Sequence, residues 1–411
     1  MPNPFYDQPI LNSPYRRPER HWELDEAGQP TQRIQEFRRK AAYITPIPKG
    51  KTQRNQAKQA ELEFNNKDGL STRDQRYDPT PVINRLRGIV DIWRELPNPS
   101  QWGVTPETAR LLKHWRQHPF MGIKPFFCQI EAVETLIWLT EVAPNTREGK
   151  SILEYLQQVN QEANPELERI ALKLATGAGK TTVMALIIAW NTVNAVRHPQ
   201  SKIYTKGFLV VAPGLTIKDR LRVLQPNDPD SYYKSRELVP PDMLPDLQRA
   251  HIVTTNYHAF RLRETLSLAK ATRRLVEGRS GEVMQTIETP GEMLRRVLPG
   301  LMGMKGILVL NDEAHHCYRE KPQPEEDETA LKGDDRKEAE ENNEAARLWI
   351  SGLEMVKNTL GLKKVVDLSA TPFFLRGSGY AEGTMFPWSM SDFSPMDAIE
   401  CGTPKPVYPR Y

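Results

Sequence analysis

One octapeptide, ATGAGKTT at Ala175–Thr182, constrains this chain more than any other stretch, because of what flanks it. Ile170, Ala171 and Leu172 read as a short buried strand, and VMALIIAW from Val183 onward reads as a strongly apolar helix. Strand, glycine-rich turn and helix therefore follow one another. In that setting Gly177 and Gly179 let backbone N–H groups close around phosphate oxygens, and the helix N-terminus adds its positive dipole end. Thr176, Gly177, Ala178, Gly179, Lys180, Thr181 and Thr182 then form a nucleotide cradle in which Lys180 reaches the β- and γ-phosphates and Thr181 ligates magnesium. Taken alone, the octapeptide also admits a plainer reading as a strand-to-helix turn carrying a surface lysine.

A second string narrows the choice. Ile307–Leu310 (ILVL) is a continuous apolar run, as expected of a strand buried on both faces of a parallel sheet, and Asn311 leads from it into Asp312-Glu313-Ala314-His315. Carboxylates at the C-terminal end of such a strand face the ligand crevice of an open α/β sheet. Asp312 is placed to hold magnesium, directly or through water, and Glu313 to orient and deprotonate an attacking water. A third apolar strand, Val365, Val366 and Leu368 interrupted by Asp367, ends in Ser369-Ala370-Thr371, with Pro372 blocking direct helical continuation. Ser369 and Thr371 suit a hydrogen-bond relay between a hydrolysis site and bound nucleic acid.

With these three strings in order, the chain resembles the first motor lobe of the superfamily 2 helicases, through Gln129, Gly177–Thr181, Asp312–His315 and Ser369–Thr371. It is more closely similar to the restriction subunit of type III restriction–modification enzymes through three longer stretches: Pro125–Leu139, Leu308–Tyr318 and Met385–Gly402. His315 in place of Asp fits the restriction enzymes better than RNA helicases of the DEAD class. Leu174 stands where the strict phosphate-loop pattern has Gly, a departure common in the helicase variant. The resemblance implies a RecA-like, doubly wound, mostly parallel α/β lobe that uses ATP and Mg2+. It also implies double-stranded DNA as the track, a modification methyltransferase as partner and a nuclease domain that makes the cut. Gln129 would read the adenine edge through its amide, with Phe126 or Phe127 packed on the base; a helix-start glutamine beside two core phenylalanines is the plainer alternative. Two further strand ends would grip the DNA backbone, with Thr216, Lys218 and Arg220 in one loop and Thr255 and Asn256 in the other.

Along the chain, residues 1–80 are polar and rich in Pro, Arg, Gln and Asn, which predicts a basic arm that is weakly ordered on its own. A helical preface is expected over 81–125, with Pro106 at a helix start. The lobe follows over 126–375, carrying a helix-loop insert at 144–165 and an acidic, solvent-projecting insert at 321–345. Residues 376–411 are expected to begin the connection to a second lobe, which would supply transition-state arginines. On that expectation the chain is the N-terminal half of a motor, or a non-catalytic, nucleotide-dependent DNA-binding or regulatory remnant of one. Three widely spaced cysteines predict neither a disulfide framework nor a metal cluster. The net charge of +4 does not by itself name a nucleic-acid partner. The absence of a long apolar run and of a signal-like N-terminus leads to the expectation of a cytoplasmic, non-membrane protein.

Overall fold

The computed structural model describes residues 4–25, 28–42, 78–214, 217–265, 286–321, 334–375 and 377–403. In chain order the strands are β1 (His21–Leu24), β2 (Pro30–Gln35), β3 (Arg169–Leu174), β4 (Gly207–Ala212), β5 (His251–Asn256), β6 (Glu264–Thr265), β7 (Thr286–Ile287), β8 (Ile307–Asp312), β9 (Leu362–Ser369) and β10 (Ser389–Phe393). Six of them form one sheet in the order β10-β3-β9-β8-β4-β5, every neighbouring pair parallel. The other four make two small antiparallel pairs, β1 with β2 and β6 with β7.

The apolar runs dictate this arrangement. Along β4, Phe208, Val210 and Ala212 enter one core while Leu209 and Val211 enter another, and β8 divides the same way, Leu308 and Leu310 against Ile307 and Val309. A strand whose alternate side chains enter two different cores must be covered on both faces. The helices Phe127–Ile137 and Lys180–Arg197 contribute Val133, Leu136, Val183 and Ile187 to the first core; Pro290–Val297 and Asp334–Leu360 contribute Met293, Leu294, Trp349 and Leu353 to the second. This is a RecA-like α/β fold. The chain steps from β3 across two later strands to β4 and returns to fill the gap with β8 and β9, so a topological switch point lies at the C-terminal end of β3, where ligands bind in such sheets.

Charges inside the sheet are matched between distant segments. Arg169 on β3 and Asp367 on β9 are fully buried and joined at 2.8 Å. Asp367 also accepts from Asn311 Nδ2 and Trp388 Nε1, each at 2.8 Å, which stitches β3, β9, β8 and the approach to β10 together.

Several boundaries differ from the sequence-based expectation. Residues 376–411 do not merely begin a connection: Ser389–Phe393 is the edge strand β10, paired in register with Ala171–Leu174, so the sheet runs to Phe393. Residues 4–25 and 28–42 of the arm are docked against the rest of the chain. Trp22 is buried, Arg38 makes a bidentate pair with Glu131 at 2.6 Å, and Arg39 bonds the Glu400 carboxylate at 2.6 Å. Arg38 meets the Glu131 carboxylate of the lobe and Arg39 donates to Glu400 and to Trp22 O, which is why a polar segment holds a fixed course. Residues 43–77 lie outside the described residues. The preface forms the helices Thr80–Arg94 and Pro106–Gln117, the second capped by the Thr105 hydroxyl. The insert at 144–165 is the amphipathic helix Arg147–Ala163, whose Ile152, Leu156 and Val159 join the main core. Of the acidic insert, residues 334–345 are the first turns of the helix Asp334–Leu360, whose later turns pack on the sheet, and 322–333 are outside the described residues. All three cysteines are buried and free. Among the described residues no helix is long and apolar enough to cross a membrane.

Candidate active site

The turn after β3 needs its glycines. Gly177 and Gly179 have φ of +85° and +82°, a region that L side chains adopt only at a cost. A Cβ on Gly179 would stand 2.3 Å from Gln129 Nε2, so space as well as conformation excludes a larger residue. Gly179 is the N-cap of the helix Lys180–Arg197, which leaves first-turn N–H groups directed at the space above the loop.

The registers β3–β9 and β9–β8 set Lys173 beside Ser369 and Leu368 beside Asp312. The three sequence strings thereby reach one level at the C-terminal edge of the sheet. Lys180 Nζ lies 2.7 Å from Glu313 Oε1, linking the phosphate loop directly to the acidic strand end. Glu313 has φ +50° and ψ +49°, one of two non-glycine residues with positive φ among the described residues. A left-handed conformation costs such a residue about 1–2 kcal/mol, and strain of this kind gathers at functional sites. Beside it, burial holds the Asp312 carboxyl above the usual carboxylate range, opposed by the Lys180 charge.

The third string is connected to the second. His315 Nδ1 and Ser369 Oγ are 3.1 Å apart, and Ser369 Oγ accepts from the Thr371 backbone N–H, also at 3.1 Å. Burial and the adjacent His316 push His315 down to about 4, so the ring is neutral at neutral pH and can exchange hydrogen bonds in either sense.

The chain matches the family described as type III restriction enzyme, res subunit, over residues 122–374. The chain belongs to this family. Type III restriction res subunits carry a superfamily 2 helicase-type domain, so this chain contains a helicase-like, ATP-dependent motor domain of that family. Neither curated proteins nor solved structures give a match.

Within the res-subunit domain the remaining expected residues are distributed as follows. Gln129 is buried; its Nε2 donates to Ala178 O at 2.8 Å and its Oε1 accepts from Phe126 N at 3.0 Å. It therefore touches the phosphate loop whether or not it also reads a base. Phe127 stacks under Arg94 and Arg38, and Phe126 lies beside Tyr15 of the arm; both rings are partly exposed. Arg220 is exposed on the helix Ile217–Leu221, and its charge is felt at Asp312. Thr216 and the Lys218 side chain lie outside the described residues. Thr255 and Asn256 end β5, where the Asn256 side-chain carbonyl caps the following turn by accepting from Ala259 N at 3.0 Å.

The residues fit a magnesium–nucleoside triphosphate. Two positive-φ glycines, a lysine at a helix N-terminus and two acids across the crevice are what such a ligand requires. Among the described residues no three His, Cys, Asp or Glu side chains converge as a metal cage. Mg2+ in phosphoryl-transfer sites is commonly held by one or two protein oxygens with the remaining positions left to water and phosphate.

Sequence reasoning missed Arg236. Its Nη1 donates to Thr182 Oγ1 at 3.0 Å, which brings a cation from 54 residues downstream onto the first turn of the phosphate-loop helix. No local pattern marks it.

Proposed function

We propose that this chain is the ATP-binding lobe of a double-stranded-DNA motor in a type III-like restriction endonuclease. This reading takes a second motor lobe, a nuclease domain and a modification methyltransferase as the partners of the ATP-binding lobe. The observation that carries the reading is the Lys180–Glu313 contact at 2.7 Å, backed by the His315–Ser369 bond at 3.1 Å.

Lys180 Nζ, 2.7 Å from Glu313 Oε1, stands where it would meet the β- and γ-phosphates. Glu313, set at the strand end by its left-handed backbone, would take the proton of an attacking water. Thr181 and Asp312 are the ligands proposed for Mg2+, which when bound offsets charge on the β/γ oxygens. Gln129 and the loop residues Thr176–Thr182 hold the nucleotide. Rearrangement at Glu313 passes through His315 to Ser369 and Thr371, the proposed link to the strand ends at Thr216, Lys218, Arg220, Thr255 and Asn256, which would hold the DNA backbone.

Calorimetric titration with Mg·ATP tests the reading. Lys180→Ala should abolish measurable binding, whereas Glu313→Gln should keep affinity near wild type and remove hydrolysis, because the carboxylate acts on water and not on the nucleotide. Asp312→Asn should instead weaken the magnesium dependence of binding. Equal ATP affinity in wild type and Lys180→Ala would show that the loop is not a phosphate site.

A further inference from the structure

We infer that Arg236, stacked on Tyr232, is a nucleoside-contacting residue that forms one wall of the ATP site. The inference rests on the ATP reading above and adds to it a binding residue outside the three motif strings.

Four observations carry it. The Arg236 guanidinium carbon lies over the Tyr232 ring, 3.5 Å from its centre, and Nη1 donates to Thr182 Oγ1 at 3.0 Å. Among the described residues, Nε and Nη2 of Arg236 have no hydrogen-bond partner, and the side chain is only half-buried, so donor capacity remains toward open space. The third observation concerns direction. The position a Gly179 Cβ would take is 2.3 Å from Gln129 Nε2 and 3.6 Å from Thr182 Oγ1. Arg236 therefore reaches the loop on the side of Gly179 that bears Gln129. The triphosphate is claimed by Lys180 and the first-turn N–H groups, and the side marked by Gln129 is where the nucleoside must lie if that amide reads the base.

The fourth is rigidity. Residues 232–239 are fixed to the preface helix Pro106–Gln117: His114 Nε2 meets Glu237 O at 2.6 Å, Trp115 Nε1 donates to Leu238 O at 2.8 Å, and Tyr233 is fully buried. Glu237 takes a left-handed φ of +52° within this anchor, which turns the chain immediately after Arg236. A planar cation held this firmly against a ring loses little freedom when a ligand arrives. It offers a flat face to a purine and N–H donors to ring nitrogens or ribose oxygens. A purely structural role would need only a donor to Thr182, which a neutral amide can supply.

The test compares Mg·ATP with Mg·tripolyphosphate, which lacks base and sugar, by calorimetry on the 411-residue chain. Arg236→Ala and Arg236→Gln should each weaken ATP at least fivefold and leave tripolyphosphate within twofold. Arg236→Gln retains an N–H for Thr182, so its melting temperature should stay near wild type while its ATP affinity still falls. Three results overturn the inference: unchanged ATP affinity in both variants, full recovery by Gln, or an equal loss for ATP and tripolyphosphate, which would make Arg236 a phosphate cation. Failure of the ATP reading itself is distinguishable, because then the wild-type chain would bind neither ligand.

Discussion

Replacing Asp367 by Ala should remove a large part of the lobe's stability. The carboxylate is fully buried and accepts from Arg169 Nε, Trp388 Nε1 and Asn311 Nδ2, each at 2.8 Å. After truncation Arg169 keeps Cys317 O at 2.6 Å and Asn164 Oδ1 at 3.1 Å, both neutral acceptors, so its charge stays buried without a counter-charge. Breaking a buried pair from one side costs about 3–5 kcal/mol. The stranded Trp388 and Asn311 donors add to this, at about 1–3 kcal/mol for each group left unsatisfied, partly offset by relaxation. A total near 5 kcal/mol is a third or more of the stability of a typical domain. It should lower the melting temperature by about 10–20 °C, at roughly 2–4 °C per kcal/mol for a domain of this size. Circular dichroism melts, with urea titration at 25 °C, measure both. Arg169→Met combined with Asp367→Leu should cost clearly less than the sum of the two single changes, because neither charge is then left alone. A loss below about 1 kcal/mol in Asp367→Ala, or strict additivity in the double variant, would refute the account of this pair as a mutually dependent unit.

Gly179→Ala should unseat Gln129 from Ala178 O, since the new Cβ would stand 2.3 Å from the amide and the backbone φ is +82°; calorimetry should show at least a tenfold loss of ATP affinity with a melting temperature within a few degrees, and unchanged binding would mean that the loop can reshape freely. Glu400 gives a pH dependence. Burial raises its carboxyl to about 7, outweighing the Arg39 charge, so the fold favours the protonated form; the stabilisation is complete below the unfolded value near 4.5 and is lost as pH rises through 7. Glu400→Gln, permanently neutral yet able to accept from Trp22 N and Arg39, should therefore gain in melting temperature over wild type between pH 5 and pH 8, and a gap that closes instead would show the Arg39 pair to dominate.

Three strand ends were legible because their signals are local. A continuous apolar run such as Ile307–Leu310 marks a doubly covered strand by itself, and Gly177 and Gly179 announce a backbone that other residues avoid. What escaped depends on partners far along the chain. Arg169 and Lys173 shorten the apparent strand to Ile170–Leu172, yet both are buried residues of β3, matched by Asp367 and by Asp392 at 2.8 Å. The sequence SMSDF of β10 has no apolar run, because Asp392 answers Lys173 instead of solvent. The docking of the arm is hidden for the same reason: nothing local shows that Glu131 and Glu400 stand opposite Arg38 and Arg39. Among the site residues, the positions of Lys180, Glu313 and Ser369 were legible from the motif strings, whereas the Lys180–Glu313 contact and the Arg236–Thr182 bond exist only once the sheet has closed.

The order of strands in the sheet also governs when this lobe can come into being. Both neighbours of β3 are made late, for about 190 residues separate Leu174 from the start of β9 at Leu362, and β10 follows still later. At synthesis rates of roughly 5–20 residues per second, β3 emerges and then waits on the order of 10–40 s with both edges open and Arg169 lacking its counter-charge. During that interval β4, β5 and β8 can pair among themselves, since each adjoins another of the three. The phosphate loop, hung on the end of β3, is therefore among the last parts of the lobe to acquire its shape. Nucleotide binding should accordingly appear late in synthesis, at the closing of the sheet, and a slow step in refolding should coincide with its arrival.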